Sequence, residues 1–301
     1  MQKRSERARR AAAVLGLSAL AVLTGCATPA PGPAAAIQAL PSALKIDRSH
    51  VSQNQDSRVL YLILHYTEAN FDHSMDILTV ERPNRPPVSA HYLVRETPVE
   101  VYQLVDESQR AWHAGPSYWK GASLLNSSSI GIEIVNSGPR REPVEPGDQD
   151  FVPFPEEQIQ QVIQLCKEIV ARHHIRPDRI LGHSDIQPQS KQDPGPSFPW
   201  HRLAEAGLIP WPDAAQVAAA QPRFAAQLPD VGWFQDQLIA FGYGLERSGQ
   251  LDHATRRVLS AFQMKYRPSR YDGLPDAESA ALLAVANTPG GMRMLGAGAT
   301  P

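Results

Sequence analysis

Two histidines and an aspartate stand at positions from which they could hold a metal ion. His65 ends the apolar run 58–65, and His183 follows the apolar segment 179–181, so a strand would hold each imidazole at a sheet edge. Asp193 follows in a proline-rich loop. Two imidazoles and one carboxylate would leave a fourth position for water, as in catalytic zinc sites. Because no helical His-Glu-x-x-His motif fixes the geometry, a purely structural role for these residues stays open.

Glu133 and Lys191 are the candidates for proton transfer and for stabilising negative charge. Glu133 interrupts the apolar strand pattern of 129–135, where a carboxylate is costly unless it is paired or functional. Burial would raise its pKa, which suits a group that acts as both base and acid. A buried ion pair with an arginine is the alternative. Lys191 could face a developing oxyanion. On the face of Glu133, Gly131 would leave room for a substrate or backbone to approach.

A second group of histidines and aromatic residues lies upstream of Glu133. His91 and Tyr92 fit the core of a strand, and Trp112 suits either packing or the lining of a substrate groove. His113, which precedes a loop rich in serine and asparagine, is the one residue of this group for which we predict a substrate contact.

The hydrophobic pattern predicts a mixed sheet with helices packed on it. The run 58–65 is typical of a strand buried on both faces, 90–95 and 99–104 of a hairpin, and 129–135 and 179–181 of further strands. Residues 155–174 have one apolar stripe, which includes Cys166, and predict a long helix. The expected class is therefore α/β (α+β), with a mixed central sheet flanked by helices.

Composition divides the chain into six segments. These are a signal peptide (1–25), a tether rich in alanine and proline (26–44), a first globular region (45–211), a linker (212–222), a smaller helical region (223–287) and a disordered tail (288–301).

The N-terminus predicts export and a lipid anchor. Five basic residues precede the apolar run 11–23, which is shorter than the roughly 20 residues that span a bilayer. The run ends in Leu23-Thr24-Gly25-Cys26, which resembles a bacterial lipobox, so Cys26 is the expected lipidation site. Ala27 in place of aspartate favours the periplasmic face of the outer membrane in a Gram-negative bacterium.

Charge and cysteine content exclude other classes. Residues 1–25 carry five basic side chains and one acidic one, so the mature chain has 24 Lys and Arg against 30 Asp and Glu. This net charge of −6 argues against nucleic-acid binding, which depends on phosphate neutralisation. With Cys26 acylated, only Cys166 remains, so an intramolecular disulfide is not expected.

The first globular region resembles a known family through five motifs in order. They are Leu64-His65-Tyr-Thr, Ser89-Ala-His91-Tyr92-Leu-Val, Ala111-Trp112-His113-Ala-Gly115, Ile130-Gly-Ile-Glu133, and Gly182-His183-Ser-Asp-Ile with Lys191-Gln-Asp193-Pro-Gly-Pro. Together they resemble the type 2 N-acetylmuramoyl-L-alanine amidases, the AmpD/AmiD group, which share a fold with peptidoglycan recognition proteins and phage amidases. The lipobox and the added small region make the lipid-anchored AmiD type the nearest match.

The resemblance implies a role for each candidate. Zn²⁺ would be held by His65, His183 and Asp193, with Glu133 as the acid and base and Lys191 as the oxyanion partner. The implied reaction cleaves the lactyl amide between N-acetylmuramic or 1,6-anhydromuramic acid and the L-Ala of the stem peptide. Aspartate at 193, where phage relatives carry cysteine, points to the AmpD/AmiD branch.

The helical region 223–287 resembles the three-helix peptidoglycan-binding domain of cell-wall hydrolases. Asp252 and Asp276 suit helix N-caps, and Phe262 falls on an inner helix face. A purely structural cap is the alternative. The expected partners are peptidoglycan and muropeptides, and the expected state is a monomer.

Two other functions fit parts of the pattern. One is a non-catalytic peptidoglycan binder of the same fold, although a binder would need neither Glu133 nor Lys191. The other is a zinc peptidase that cuts within the stem peptide.

Overall fold

The computed structural model describes residues 44–140 and 150–295. The predicted signal peptide, Cys26 and nearly all of the predicted tether lie outside these residues. The chain separates into two units, Met1–Asn54 and Gln55–Pro301. In the first unit, the described residues 44–54 form no helix or strand. The features below belong to the second unit.

The second unit contains both strands and helices. The strands are β1 (Tyr61–Tyr66), β2 (Tyr92–Val94), β3 (Val101–Gln103), β4 (Tyr118–Trp119), β5 (Ala122–Ser123), β6 (Ser129–Ile134), β7 (Ile180–Gly182), β8 (Pro210–Pro212) and β9 (Met292–Met294). The helices are α1 (Phe71–Thr79), α2 (Glu156–His173), α3 (His183–Ile186), α4 (Trp200–Glu205), α5 (Ala214–Ala226), α6 (Val231–Phe241), α7 (His253–Tyr266) and α8 (Ala277–Ala286).

The central sheet is mixed, which confirms the predicted fold class. Its strand order is β3-β2-β6-β1-β7, and every neighbouring pair is parallel except the β2–β3 hairpin. All six residues of β1 are buried, as expected for a central strand covered on both faces. Leu62 and Leu64 belong to the core cluster that contains the α2 residues, whereas Tyr61 and Ile63 belong to the cluster that contains residues of α6, α7 and α8.

Helix α2 forms where the apolar stripe predicted a helix. Pro155 is its N-cap, so the helix begins one residue later than expected, and Glu156 and Glu157 occupy the first turn, where the helix dipole favours negative charge. Cys166 is a free, fully buried cysteine on the inner face. The stripe packs this helix on one face of the sheet.

Four helices form the C-terminal part of the unit. Asp213, Asp230, Asp252 and Asp276 cap α5 to α8, each accepting a backbone N–H three residues further on. The segment 212–222, predicted to be a linker, forms most of α5, because its alanines favour a helix and Phe224 provides a buried anchor. Part of the predicted disordered tail forms β9, which pairs with β8. Among the described helices, none combines the length and apolar character needed to cross a bilayer.

Glu107 joins the loop after β3 to the end of α2. Its carboxylate accepts hydrogen bonds from Tyr92 Oη (2.7 Å), Arg172 Nη2 (2.7 Å) and His173 Nε2 (2.8 Å). Burial raises the pKa of Glu107, but these three hydrogen bonds outweigh burial and lower the pKa to about 2.

We predict that Glu107→Gln lowers the free energy of unfolding at pH 7, because the variant loses the charge that the three hydrogen bonds stabilise. The expected loss is only about 1–2 kcal/mol, because solvent screens the pairing at this partly exposed carboxylate. The folded pKa lies below the ordinary 4.5, so the stabilisation is present above pH 4.5 and is lost as the pH falls towards about 2. Denaturant unfolding across this range should show a shallower decline for the variant than for the unchanged protein. Equal slopes would contradict the prediction.

Candidate active site

Three neighbouring parallel strands bring the candidate residues to one end of the sheet. In the β1–β6 pair His65 lies opposite Glu133, and in the β1–β7 pair Leu64 lies opposite Gly182. His183 follows Gly182 directly, so its backbone lies next to that of His65. The carboxyl ends of parallel strands are the usual ligand-binding edge of open α/β sheets. The strand register therefore gathers both histidines and the glutamate at that edge.

The side chains of His65, His183 and Asp193 meet in a buried cluster. His65 Nδ1 lies 3.1 Å from His183 Nδ1 and 2.9 Å from Asp193 Oδ2, and His183 Nδ1 lies 3.2 Å from the same oxygen. The three residues are 1%, 5% and 7% exposed. Asp193 reaches the histidines because its loop turns back on itself: the Ser184 N–H donates to the Asp193 carbonyl (2.9 Å). Across residues 44–140 and 150–295, this is the group of side chains that could hold a metal ion.

A hydrogen-bond chain behind His65 determines which of its nitrogens faces the cluster. Ser129 Oγ donates its one proton to the Leu125 carbonyl (2.7 Å), so it accepts from His113 Nε2 (3.2 Å). Burial, together with the neighbouring imidazoles, holds the pKa of His113 well below its usual value. The neutral His113 ring therefore accepts from His65 Nε2 at its own Nδ1 (3.1 Å). Burial also lowers the pKa of His65 to about 4, so its Nδ1 faces the cluster without a proton.

Gln187 orients His183 in the same way. Its Nε2 donates to Ser190 Oγ (2.7 Å), so its Oε1 accepts from His183 Nε2 (3.2 Å), and in the neutral ring Nδ1 is then the nitrogen whose lone pair faces the cluster. Two nitrogen lone pairs and a carboxylate oxygen thus converge on one point. A cation at that point would relieve their mutual repulsion, so the arrangement fits a metal ion.

Glu133 lies in the same cavity with one oxygen unsatisfied. Its Oε2 is buried and accepts no hydrogen bond, and among the described residues it forms no ion pair, so the predicted alternative of an arginine partner is not observed. Burial raises the pKa of Glu133 well above its usual value, the charge of Asp193 raises it further, and Lys191 opposes both. A carboxyl group in this environment can exchange a proton with a ligand.

Lys191 is exposed at the rim of a cavity of about 940 Å³ that contains the cluster. Glu133 and the three clustered residues line it, as do Trp112 and His113. Its volume is near the upper end of the range for small-ligand sites. The cavity therefore brings together every site residue predicted from the sequence within the described part of the chain.

His113 is 6% exposed and lies behind His65, a position that sequence alone did not indicate. It also lines the cavity, so the predicted substrate contact stays a prediction. The expectation for Gly131 is wrong: a Cβ there would lie 2.4 Å from His113 Cγ, so the space that the glycine leaves holds this imidazole rather than a substrate or backbone. His91 is fully buried, as predicted, and its Nδ1 accepts from the Gly131 N–H (3.0 Å).

Sequence reasoning missed the residues that orient the ligands. Gln187 is four residues after His183, a spacing that places two side chains on one helical face and could have indicated the contact. Ser129 and Asp185 carried no such signal. Both act through partners distant in sequence, Ser129 through His113 and Asp185 through the C-terminal helices.

Two family models match the chain. The model of the N-acetylmuramoyl-L-alanine amidase family matches residues 55–196, and the model of a putative peptidoglycan-binding domain matches residues 227–283.

Similar proteins include characterised and structurally solved amidases. The chain is 40% identical over 245 residues to the N-acetylmuramoyl-L-alanine amidase AmiD of Escherichia coli, covering 79% of this chain and 86% of AmiD. It is 36% identical over 116 residues to the 1,6-anhydro-N-acetylmuramyl-L-alanine amidase AmpD of Enterobacter cloacae, covering 38% and 55% of the two chains. The structure resembles that of AmiD from E. coli in complex with anhydro-N-acetylmuramic acid-L-Ala-D-γ-Glu-L-Lys (TM-score 0.70, 38% identity, 80% of this chain and 93% of that one). It also resembles AmpDh3 from Pseudomonas aeruginosa (TM-score 0.73, 35% identity, 81% and 98%).

We predict that His113→Ala and Gly131→Ala each weaken metal binding by about 10- to 100-fold, because both disturb the hydrogen bond that orients His65. The double variant should be barely worse than His113→Ala alone, since the clash at residue 131 is with the imidazole that His113→Ala removes. Competition with a chromogenic chelator measures the affinities. Additive losses in the double variant would show that the two residues act independently.

Proposed function

The chain belongs to the N-acetylmuramoyl-L-alanine amidase family, and we propose that it hydrolyses the amide between the lactyl group of N-acetylmuramic or 1,6-anhydromuramic acid and L-Ala of the stem peptide. The observation that carries this proposal is the convergence of His65, His183 and Asp193 beside the unsatisfied carboxyl of Glu133 in one cavity. A binding protein would have no need of such an arrangement. We propose peptidoglycan as the source of the substrate.

We propose zinc as the metal. In a tetrahedral site with bonds of about 2.0–2.1 Å, ligand atoms stand roughly 3.3 Å apart, close to the separations of 2.9–3.2 Å between the three donor atoms. Two imidazole nitrogens and one carboxylate oxygen are a donor set that zinc hydrolases use. A bound Zn²⁺ supplies Lewis-acid chemistry, by which it acidifies water and polarises a carbonyl group.

Glu133 would move the proton. Its raised pKa means that the carboxylate takes up a proton readily, and its free Oε2 gives the attacking water an acceptor. The same proton can then be delivered to the amine of L-Ala as the amide bond breaks. Because β6 holds Glu133 opposite His65, the acceptor and the metal ligands are fixed relative to one another by the sheet.

Lys191 would face the negative charge that develops on the scissile carbonyl oxygen. It lies two residues before Asp193 on the loop that supplies two of the ligands, so the loop that holds the metal also carries the ammonium group. A positive charge placed in advance stabilises an oxyanion without reorganisation during the reaction.

The test is mass spectrometry of the products from soluble protein that lacks residues 1–26, incubated with purified muropeptides. We expect release of a stem peptide with an intact L-Ala N-terminus, and its loss when a chelator is added. Cleavage within the stem would instead identify a peptidase. Binding without any release by the folded, zinc-loaded protein would identify a non-catalytic binder.

We predict that Glu133→Gln lowers kcat by about 10²- to 10⁴-fold, and that Lys191→Met lowers it by about 10²- to 10³-fold. Both variants should keep their bound zinc, because neither residue is a ligand. Glu205→Gln and Lys167→Met make the same substitutions at exposed sites on α4 and α2 and should leave the rate unchanged. Full activity in Glu133→Gln would rule out its role as the base.

We further propose that the enzyme works at the cell envelope, as a lipid-anchored monomer on the periplasmic face of the outer membrane. Support for the envelope comes from the peptidoglycan-binding match of residues 227–283, and support for the anchor from the lipobox that ends at Cys26. The region 227–283 would hold the enzyme on its polymeric substrate.

We predict that Cys26→Ala abolishes incorporation of labelled palmitate and moves the protein from the membrane fraction to the soluble fraction of the envelope. Substitution of Cys166, which is buried in the core, serves as the control and should leave labelling intact. Palmitate incorporation that persists in Cys26→Ala would contradict the anchor.

A further inference from the structure

The loop that carries the metal ligands is attached to the C-terminal helices. We use the name ligand loop for residues 183–193, which include His183, Lys191 and Asp193. Asp185 lies between His183 and Lys191 in this loop and is 1% exposed. Its side chain is turned away from the metal ligands, towards the helical region. Its carboxylate oxygens accept hydrogen bonds from Tyr243 Oη (2.9 Å) and Lys265 Nζ (2.7 Å). Tyr243 follows α6, and Lys265 lies on α7.

The same carboxylate is bonded to the strand that precedes His183. Asp185 Oδ2 accepts the Gly182 N–H (2.8 Å), so one buried group ties the end of β7 to both helical partners. Lys265 also donates to the Ile180 carbonyl (3.4 Å), and its ammonium lies 4.1 Å from the centre of the Trp200 ring. Removing one partner from a buried, hydrogen-bonded ion pair leaves the other charge unsatisfied. The helical partners of Asp185 therefore stabilise this conformation of the ligand loop.

Further contacts continue along the ligand loop. Arg257 on α7 donates to the Pro188 carbonyl through Nε (2.9 Å) and to the Lys191 carbonyl through Nη2 (3.3 Å). Gln189 donates to the Ala254 carbonyl (3.3 Å). Helix α7 thus holds the backbone of Lys191, the residue that would face the oxyanion. Arg257 also lines the catalytic cavity.

We propose that the C-terminal helices position the metal site, and that Asp185, Tyr243 and Lys265 are positioning residues for the ligand loop. A region that resembles a wall-binding domain would then be required for metal affinity and turnover on small soluble muropeptides, where wall attachment has no effect. This inference rests on the proposed function for its catalytic part, whereas its metal-binding part stands on the cluster alone.

Two pairs of variants test the proposal. Tyr243→Phe removes a hydroxyl that donates to Asp185. Tyr92→Phe removes a matching hydroxyl that donates to Glu107, which lies outside the ligand loop. Lys265→Met breaks the buried pair with Asp185, and Arg267→Met breaks the partly buried pair with Asp276 in the same helical region. Each full-length soluble variant is measured for unfolding by denaturant, zinc affinity by chelator competition, and kcat and KM on a soluble muropeptide.

We expect Tyr243→Phe and Lys265→Met to weaken zinc binding by about 10-fold or more and to lower kcat more than they change KM, because the ligands lose their orientation. Tyr92→Phe and Arg267→Met should lose stability while their zinc affinity stays within about twofold of the unchanged protein. If Lys265→Met does not fold, Tyr243→Phe decides alone. Zinc affinity in folded Tyr243→Phe equal to that of Tyr92→Phe would overturn the proposal. If the unchanged protein bound zinc but released no peptide, the proposed function would fail while the affinities still decided the positioning role.

Discussion

Three electron-rich atoms face one point, and the hydrogen bonds around them hold them there. His65 Nδ1, His183 Nδ1 and Asp193 Oδ2 lie about 3 Å from one another in a buried place, an arrangement that is repulsive without a cation. A different contact holds each of these three atoms in position. Ser129 and His113 set the tautomer of His65, Gln187 sets that of His183, and the turn of the ligand loop returns Asp193 to the cluster. A cation bound at that point would relieve the repulsion between these three atoms.

The central sheet has to be covered on both faces, and the C-terminal helices cover one of them. The β1 side chains alternate between faces, with Leu62 and Leu64 under α2 and Tyr61 and Ile63 in the cluster that includes α6 to α8. The C-terminal helices therefore complete the core of the catalytic fold. A helical region that covers the sheet is also well placed to hold a loop that leaves the sheet edge, and Asp185 uses that proximity.

Local patterns in the sequence were enough to predict the mixed sheet, the hairpin, α2 and the caps at Asp252 and Asp276, because strand runs, apolar stripes and capping residues are short-range signals. Family motifs indicated the ligands and Glu133. The chain from Ser129 through His113 to His65 and the contacts of Asp185 could not be predicted, since they join residues far apart in sequence and leave no periodic trace. The helix over 214–226 was missed because an alanine-rich segment is compatible with either a linker or a helix. The burial of Phe224, a contact made in the folded chain, favours the helix.

X-ray absorption spectroscopy at the zinc edge of the zinc-loaded protein, combined with its metal content, would show whether these three residues bind the ion. We expect one ion per chain, with two imidazole nitrogens and otherwise oxygen donors at about 2.0–2.2 Å. A third imidazole in the shell would make His113 a ligand rather than the group that orients His65. Failure of the folded protein to retain any ion would show that His65, His183 and Asp193 are not metal ligands.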